Sequence, residues 1–423
     1  MKALDGRIQE LIDYTYIKLG LENYILQRHK LYRKVNFQNE TIYTLSMEWF
    51  PKNVTEFDED LNPVGTAVVE LRIDNRKFES IIFVDGKSYA DSLTFSNVGL
   101  GQVVNWIEQE TGLKNGAQFR LVEEKTGEYR FQECYHGVPV SPSGYIEIKF
   151  DDEGRLIFYS VFGSFPSAQL FNMEEFTLSL NDVEEIAAEQ VKRIDFPSYE
   201  KKQLIPIYAL EEIYIRNDLG KTIPFEVFPI EQAFVKIEKP LYWETKSNQP
   251  FERMEIKFHE DISSEQAFSL EPHPDLEPIS PHDQEQAIAE VIHFLQRVYP
   301  EDSGKWILKT LHREKCYIHA TLRRQQTDHK VFQRKLIVFL DQAFKAVNYI
   351  DNEMMLEMLH DFTSAGEVKI QNEEAFAKLK PFLTLKPVYV YDTEEERFVL
   401  CGKLDCHDGV HAVSGEVVSL DEI

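Results

Sequence analysis

Cysteine and histidine are most densely gathered near the C-terminus, where Cys401, Cys406, His407 and His411 form the pattern C-x4-C-H-x3-H. These are the ligand types that zinc prefers. The spacing is unusual, because structural zinc sites draw their second pair of ligands from farther along the chain, and Asp405 interrupts the cluster as a turn residue would. We therefore expect a strand, a turn and a strand with incidental ligands. Metal binding by these four residues is the alternative that the sequence leaves open.

A second candidate for chemistry is Cys134, which lies two residues before His136. A cysteine activated by a histidine is a nucleophile pair. Neighbouring strand residues point to opposite faces, however, and no third group that would orient the histidine is evident. Cys316, next to Tyr317, lies at a similar place in a later stretch of similar pattern, so we interpret both cysteines as structural.

The remaining motifs are weaker. The run Gly99-Leu100-Gly101 resembles a phosphate-binding loop, but Val104 replaces the third glycine and no βαβ unit surrounds it, so we expect a flexible helix start. His259-Glu260-Asp261 and His282-Asp283 lack metalloprotease spacing, and no H-E-x-x-H, G-x-S-x-G or Walker sequence occurs. The sequence therefore predicts no catalytic residue, no cofactor-binding residue and no metal ligand.

The elements that would position these residues recur twice, in residues 99–215 and 283–404. Each stretch predicts an amphipathic helix, four short strands, a second helix and an apolar strand containing Pro-aliphatic-Tyr. Pairing Tyr129 with Tyr317 and Asp152 with Asp341 aligns the two copies. The strands are predicted at 119–124, 129–135, 145–150 and 155–162 in the first copy and at 306–311, 317–323, 332–340 and 345–350 in the second.

Helix and strand signals before and within these copies complete the predicted fold. Apolar residues from Leu4 to Leu19 predict a helix that stops at Gly20, followed by strands at 42–50, 67–73 and 79–85. Asn181 and Glu184 predict a capping box, and a strand is predicted at 251–258. The fold class is α+β: a duplicated unit of antiparallel sheet with helices packed on one face, plus an N-terminal helix-and-sheet segment.

The predicted domain boundaries follow from this pattern. Residues 1–95 form the N-terminal segment, 96–270 the first repeat with extra strands, and 283–423 the second repeat. Four prolines between residues 271 and 281 predict a semi-rigid linker over 271–282, because proline blocks both helices and sheet ladders.

Composition restricts the partners. The chain has 423 residues, 43% hydrophobic, with a net charge of −26, which is typical of a globular protein and repels nucleic acid and anionic lipid. We expect no nucleic-acid partner and no membrane span, since 18 consecutive apolar residues occur nowhere. The absence of a signal-peptide pattern and the four cysteines predict a cytoplasmic protein.

One segment departs from the acidic average. Residues 297–335 contain ten Lys/Arg against four acids. This basic segment indicates either a surface for an acidic partner, which another part of the same chain could supply, or an ordinary solvated sheet face.

A family resemblance rests on two runs of the first copy, YRFQECYHGVPV from Tyr129 and GYIEIKFDDEG from Gly144. They resemble the PepSY and thermolysin-propeptide group (cystatin-like α+β domains), in which Tyr-x-Gly-x-Pro-Val ends one strand and Asp-x-x-Gly closes the next. With the duplication, the chain is similar to the YcdB/YcdC repeat proteins of Bacillus-type bacteria. The second copy departs from the pattern, since Arg323-Arg324 leads a different turn and Ala343 stands at the turn glycine.

The resemblance implies a non-catalytic module, often placed outside the cell, that binds or inhibits peptidases. We therefore expect a binding or regulatory protein without a cofactor, whose partner is a protein or a peptide, with peptidases among the candidates. The alternative is a hydrolase with its site in the cleft between the two repeats.

Overall fold

The computed structural model describes residues 4–36, 39–54, 61–95, 99–225, 234–247, 249–257, 261–325 and 332–422. The protein is α+β, as the sequence predicts. Within the described residues no helix is long and apolar enough to cross a membrane. The helices in this part of the chain are α1 (Gly6–Leu19), α2 (Leu100–Thr111), α3 (Glu184–Gln190), α4 (Ser264–Ser269), α5 (Pro281–Val298), α6 (Glu353–Glu357) and α7 (Asn372–Leu379).

The strands fall into two groups along the chain. The first nine are β1 (Tyr24–Val35), β2 (Thr41–Pro51), β3 (Ala67–Arg72), β4 (Phe78–Phe83), β5 (Phe119–Lys125), β6 (Glu128–Tyr135), β7 (Val138–Ser141), β8 (Tyr145–Phe150) and β9 (Leu156–Phe162). The others are β10 (Val191–Ser198), β11 (Gln203–Leu210), β12 (Ile213–Arg216), β13 (Thr222–Pro224), β14 (Phe234–Leu241), β15 (Trp306–Glu314), β16 (Tyr317–Arg324), β17 (Lys335–Leu340), β18 (Ala346–Asp351), β19 (Thr363–Ser364), β20 (Thr384–Asp392), β21 (Arg397–Asp405), β22 (Asp408–His411) and β23 (Val417–Ser419).

The chain divides into two compact units, each assembled from three stretches. Unit 1 comprises residues 1–174, 259–273 and 388–400, and unit 2 comprises residues 175–258, 274–387 and 401–423. The predicted boundaries at residues 95, 270 and 282 concern successive repeats rather than compact units. They therefore stay a prediction.

Unit 1 is built on one mainly antiparallel sheet, in which β7 also pairs in parallel with Tyr389 and Val390 of β20. Its strands follow the order β1-β2-β3-β4-β9-β8-β6, and β5 and β7 also pair with β6. Because β4 pairs with β9, the N-terminal segment and the strands of the first predicted repeat share one sheet. Buried residues of α1 and α2, among them Leu11 and Ile107, belong to the core of this sheet.

Unit 2 contains two cores. The antiparallel sheet β14-β15-β16-β17-β18 packs with α5, which buries Ala287, Val291, Phe294 and Leu295. A second sheet, β10-β11-β22-β23, shares its core with α3 and α7, and β19 pairs in parallel with β11. Each core therefore combines a helix stripe with one sheet face, which is how amphipathic elements bury their apolar sides.

Helix boundaries follow local capping chemistry. The Asp5 carboxylate accepts from the Arg7 N–H at 2.9 Å, and α1 ends at Gly20 with a φ of 64°, as its sequence predicts. At the start of α5, Ser280 and Asp283 form a reciprocal capping box, with Pro281 in the first turn. These contacts fix where each long helix begins.

Three local predictions are wrong. The helix expected from Asn181 begins at Glu184, because the Asp182 carboxylate accepts from the N–H and hydroxyl of Ser179 and forms a turn instead of a cap. Residues 251–257 form no strand, and Phe258 lies outside the described residues. Two strand ends are misplaced by three residues, since β15 continues to Glu314 and β17 begins only at Lys335.

Two four-stranded arrangements have the same succession of pairings. The first meander is β5, β6, β8 and β9, and the second meander is β15, β16, β17 and β18. In their last turns, Asp151 and Asp341 play the same part. Each side chain accepts from the backbone N–H groups two and four residues later, at 2.8 to 3.0 Å.

These hydrogen bonds shift the predicted alignment of the two stretches by one residue, because Asp151, and not Asp152, corresponds to Asp341. The predicted pairing of Tyr129 with Tyr317 is also off by one, since Glu128 and Tyr317 occupy the same position after their two-residue turns. The residue with a positive φ is Gly154 (76°) in the first turn and Phe344 (60°) in the second, so Ala343 is not the substitute for the turn glycine. Phe344 packs against the core of its sheet, which offsets the strain of a left-handed aromatic residue.

Candidate functional site

Two histidines and a glutamate meet on the second meander, and we call them the His-Glu-His cluster: His312, Glu314 and His319. His312 pairs directly with His319 across β15 and β16, and Glu314 precedes the turn that joins these strands. Side chains two residues apart on a strand share a face. The hairpin register therefore places all three side chains together, on the face opposite Leu311 and Ala320 of the core.

A residue outside this hairpin stabilises its turn. Its two residues, Lys315 and Cys316, both have positive φ (51° and 66°), the geometry of a tight hairpin turn without its usual glycine. The two oxygens of Asp275 accept from their backbone N–H groups at 2.7 and 3.0 Å. Asp275 thereby compensates the strained turn and fixes the end of β15, where Glu314 lies.

The three side chains converge on one carboxylate oxygen. Glu314 Oε2 lies 3.6 Å from His312 Nε2 and 3.4 Å from His319 Nδ1. One potential ligand atom from each residue lies within 4.8 Å of the other two. Among the described residues, no other group of three His, Cys, Asp or Glu side chains converges so closely. The exposed fraction of the side chain falls from 34% for Glu314 to 19% for His312 and 9% for His319.

Burial and charge set the protonation of the cluster. Burial first, and the neighbouring His312 second, lower the pKa of His319 below its ordinary value. The adjacent His312 side chain lowers the pKa of Glu314, although partial burial opposes this effect. Neutral imidazole and ionised carboxylate are the states in which these side chains bind metal ions.

Packing restrains the buried imidazole. The His319 ring lies 4.6 Å from the Phe339 ring, edge to face, and 4.9 Å from the His312 ring. Its Nε2 atom is buried and has no hydrogen-bond partner among the described residues. A buried imidazole nitrogen without a partner is uncommon in a folded protein.

A second notable surface lies at the end of the same sheet. Four methionines and an isoleucine expose between 57% and 76% of their surface, and we call this set the methionine surface: Met254, Ile350, Met354, Met355 and Met358. The backbone of Met254 runs along β18, where its N–H donates to the Val347 carbonyl at 2.8 Å. Ile350 lies near the end of β18, Met354 and Met355 lie in α6, and Met358 directly follows α6.

A buried ionic network holds the start of α6, the helix that carries part of this surface. Arg334 pairs with Asp351 at 2.9 Å, and both side chains are about nine-tenths buried. Asp351 also accepts from the Tyr299 hydroxyl and from the Glu353 N–H at the start of α6. These contacts lower the pKa of Asp351 although burial opposes them, and they anchor α6 to the end of β18.

The C-terminal cysteines and histidines are placed without a common centre. Cys401 and Cys406 are buried on and after β21, and the Cys406 thiol contacts the Asp408 carbonyl at 3.4 Å. His407 is exposed beside Asp405. His411 Nδ1 accepts from the N–H groups of Val413 and Ser414, which makes it a turn-capping residue.

The other sequence candidates also occupy structural positions. Burial raises the pKa of the Cys134 thiol, the opposite of activation. His136 lies in the turn between β6 and β7 with a φ of 47°. Gly99 precedes α2 as its N-cap, and Asp283 belongs to the capping box of α5 beside the exposed His282. His259 and Glu260 lie outside the described residues.

The basic segment is largely engaged by its own unit. Lys309 binds Glu238, Lys305 and Arg324 both contact Asp302, and Arg334 binds Asp351. Arg313 donates to the Glu277 carbonyl at 3.0 Å. These contacts account for much of the local positive charge, while Lys330 lies outside the described residues.

A buried glutamate that the sequence analysis did not single out lies at the end of β6. Glu133 is 3% exposed, and burial raises its pKa to about 7, although a hydrogen bond from the Gly144 N–H at 2.8 Å acts in the opposite direction. Its other oxygen, Oε1, is buried without a hydrogen-bond partner among the described residues.

Comparisons with known proteins do not assign the chain. No protein-family model and no curated protein matches it. A solved structure that matches is the Bacillus megaterium YpeB C-terminal domain, at 11% identity, covering 52% of this chain and 97% of that domain with a TM-score of 0.25. A likeness this weak supports no conclusion about fold or function.

Proposed function

We propose that the protein is a non-catalytic binding protein that docks a cationic, apolar segment of another protein on the methionine surface. The observation that carries this proposal is the exposure of four of the seven methionines of the chain along one sheet edge and its following helix. Contiguous exposed apolar side chains are costly in water and mark interaction sites. Methionine suits such a site because its flexible thioether adapts to varied apolar partners.

The charge around the methionine surface indicates the partner. Glu353, Glu357 and Asp361 follow one another at intervals of four residues beside Met354 and Met358. Glu357 and Asp361 are exposed, while Glu353 binds Arg334. The net charge of −26 adds long-range attraction for cations. A segment with apolar side chains on one face and Lys or Arg on the other fits this surface.

The binding experiment uses a designed peptide with leucines at helical spacing and lysines on the opposite face. Its affinity for the full chain is measured by fluorescence anisotropy at physiological salt. We expect the double substitution Met354→Gln and Met358→Gln to weaken binding about tenfold, because it removes apolar contact without changing charge.

Met173 provides the matched control. It is 70% exposed and belongs to unit 1, so Met173→Gln changes a comparably exposed methionine that is not a member of the methionine surface. We expect this variant to bind as the parent does. Equal affinity in the double variant and the parent would contradict the proposal, since the peptide would then be held by charge alone.

Family and location enter as parts of the same proposal. The runs beginning at Tyr129 and Gly144 support membership of the PepSY-like group, and the two successive meanders support the YcdB/YcdC type. Peptidases are then the partners to test first, by measuring whether the chain changes their activity. The four cysteines in 423 residues support a cytoplasmic location.

A further inference from the structure

We propose that the His-Glu-His cluster is a binding site for a divalent transition-metal ion, with zinc as the best-fitting ion. The site lies on the sheet of the second meander and is separate from the methionine surface. His312, Glu314 and His319 supply three protein ligands. Solvent, or a group from a bound partner, supplies the fourth.

The spacing of the ligand atoms is the first argument. Tetrahedral zinc with bonds of about 2.0 to 2.1 Å to nitrogen and oxygen places neighbouring ligand atoms about 3.4 Å apart. Glu314 Oε2 lies 3.4 Å from His319 Nδ1 and 3.6 Å from His312 Nε2. Two edges of the tetrahedron are therefore close to the required length, and the third pair of ligand atoms, which lies within 4.8 Å, would close by at most about 1.4 Å.

The alternative of a simple hydrogen-bonded triad fits less well. Charge-assisted hydrogen bonds between imidazole and carboxylate are about 2.7 to 2.9 Å long, and both distances in the cluster are longer. His319 is also buried with its Nε2 atom unpartnered among the described residues. The unpartnered Nε2 atom is not the nitrogen that faces Glu314, so the spacing of Nδ1 is the observation that supports the site.

The ligand types select the class of ion. Two imidazoles and one carboxylate suit zinc and its neighbours in the first transition row, whereas calcium and magnesium require mostly oxygen ligands. The 34% exposure of the Glu314 side chain leaves the carboxylate accessible from solvent, so an ion can enter and keep an open position. The Asp275 contact to the turn restrains the end of β15 and pre-organises Glu314.

The test is a titration of the chelator-treated full chain with Zn²⁺, followed by calorimetry and by competition with a chromophoric chelator. We expect one equivalent to bind. His312→Ala and Glu314→Gln should each weaken zinc binding at least tenfold, and His319→Ala more than that. Because His319 is buried, near-UV circular dichroism checks that each variant is folded, and the more exposed His312 and Glu314 keep the test decisive if His319→Ala unfolds.

His293 supplies the matched control. Its Nδ1 lies 3.5 Å from Glu290 Oε2 on the exposed side of α5, which is a histidine-carboxylate pair of the same spacing that belongs to no converging group among the described residues. We expect His293→Ala to bind zinc like the parent. The proposal is overturned if the chain binds no zinc, or if binding survives His312→Ala and is lost on Cys406→Ser or His411→Ala.

Discussion

Each meander begins with a hairpin of the same pairing, but the side chains at corresponding positions of the two hairpins differ in their chemistry. Counted from the two-residue turn, Glu123, Lys125 and Arg130 of the first hairpin correspond to His312, Glu314 and His319 of the second. The first set is exposed, and Lys125 binds Glu123 at 2.5 Å. The second set is partly to fully buried and offers three metal-ligand types. The two hairpins therefore have the same strand pairing but differ in side-chain chemistry at these three positions.

The buried polar group of the first meander lies on the other side of the sheet. Glu133 occupies the sixth position of β6, and the sixth position of β16 is Leu322, a core residue. The first meander therefore keeps a carboxyl group within its helix-covered face, where the second keeps a leucine. Glu133 therefore lies on the core-facing side of its sheet, whereas the His-Glu-His cluster lies on the face opposite the core of its own sheet.

The largest effect is expected from transferring the cluster to the first meander. In a chain that carries both His312→Ala and Glu314→Gln, and so lacks two of the three ligands of the original site, we expect Glu123→His, Lys125→Glu and Arg130→His together to restore zinc binding. The physical reason is that the same hairpin positions bring the same ligand types to one face. Zinc calorimetry is the measurement.

The transferred site should be at least tenfold weaker than the original, because its surroundings are exposed and less pre-organised. The variant with Glu123→His and Lys125→Glu, which lacks the second histidine, serves as the control. A folded triple variant that binds no zinc would show that hairpin position alone does not make the site.

The next effect concerns the pH dependence of unit 1. The pKa of Glu133 is about 7 in the folded chain and near 4.5 when unfolded, so the unfolded state releases its proton first as the pH rises. Stability is therefore lost between about pH 4.5 and pH 7, by about 3 kcal/mol in all. We expect Glu133→Gln, which keeps an acceptor for the Gly144 N–H, to recover this stability at pH 8 and to change little at pH 4.

Denaturant unfolding at the two pH values measures this effect. Leu322→Gln is the contrasting variant in the second meander, because it buries a polar group that does not titrate and should destabilise equally at both pH values. A Glu133→Gln variant with the same pH profile as the parent would show that Glu133 is not the titrating group.

Much of the fold can be predicted from the sequence because turn-forming residues mark the ends of its strands. Strand β8 was predicted with its observed bounds, and the ends of most other meander strands were predicted within three residues, since Gly and Asp mark their turns. Strand β1 was missed because its charged run, Arg28 to Lys34, hides the alternation of a strand with one solvated face. The prediction that α3 begins at Asn181 is wrong because the local Ser179–Asp182 turn forms there instead of a helix cap.

The His-Glu-His cluster was not predicted because no local motif contains it. His312 and His319 are seven residues apart, and they meet only if β15 continues to Glu314 and turns at Lys315 and Cys316. Neither turn residue is glycine, so the turn signal was weak. Extending the strand to a two-residue turn would have placed the two histidines opposite each other.

The smallest effect tests the shared turn. Asp151 and Asp341 each accept two backbone N–H groups with the same spacing. We expect Asp151→Ala and Asp341→Ala each to lower the free energy of unfolding by about 2 kcal/mol, the usual cost of losing hydrogen bonds to a charged acceptor. Denaturant titration of the two variants at pH 7 measures both values. Costs that differ by more than about 1 kcal/mol would break the equivalence of the turns.

The most direct test of the difference between the meanders is anomalous diffraction at the zinc absorption edge, from crystals of the full chain soaked in Zn²⁺. We expect one strong peak bounded by His312, Glu314 and His319, and no peak at Glu123, Lys125 and Arg130. A peak at Cys406 and His411 instead, or no peak beside His319 in zinc-soaked crystals, would contradict it.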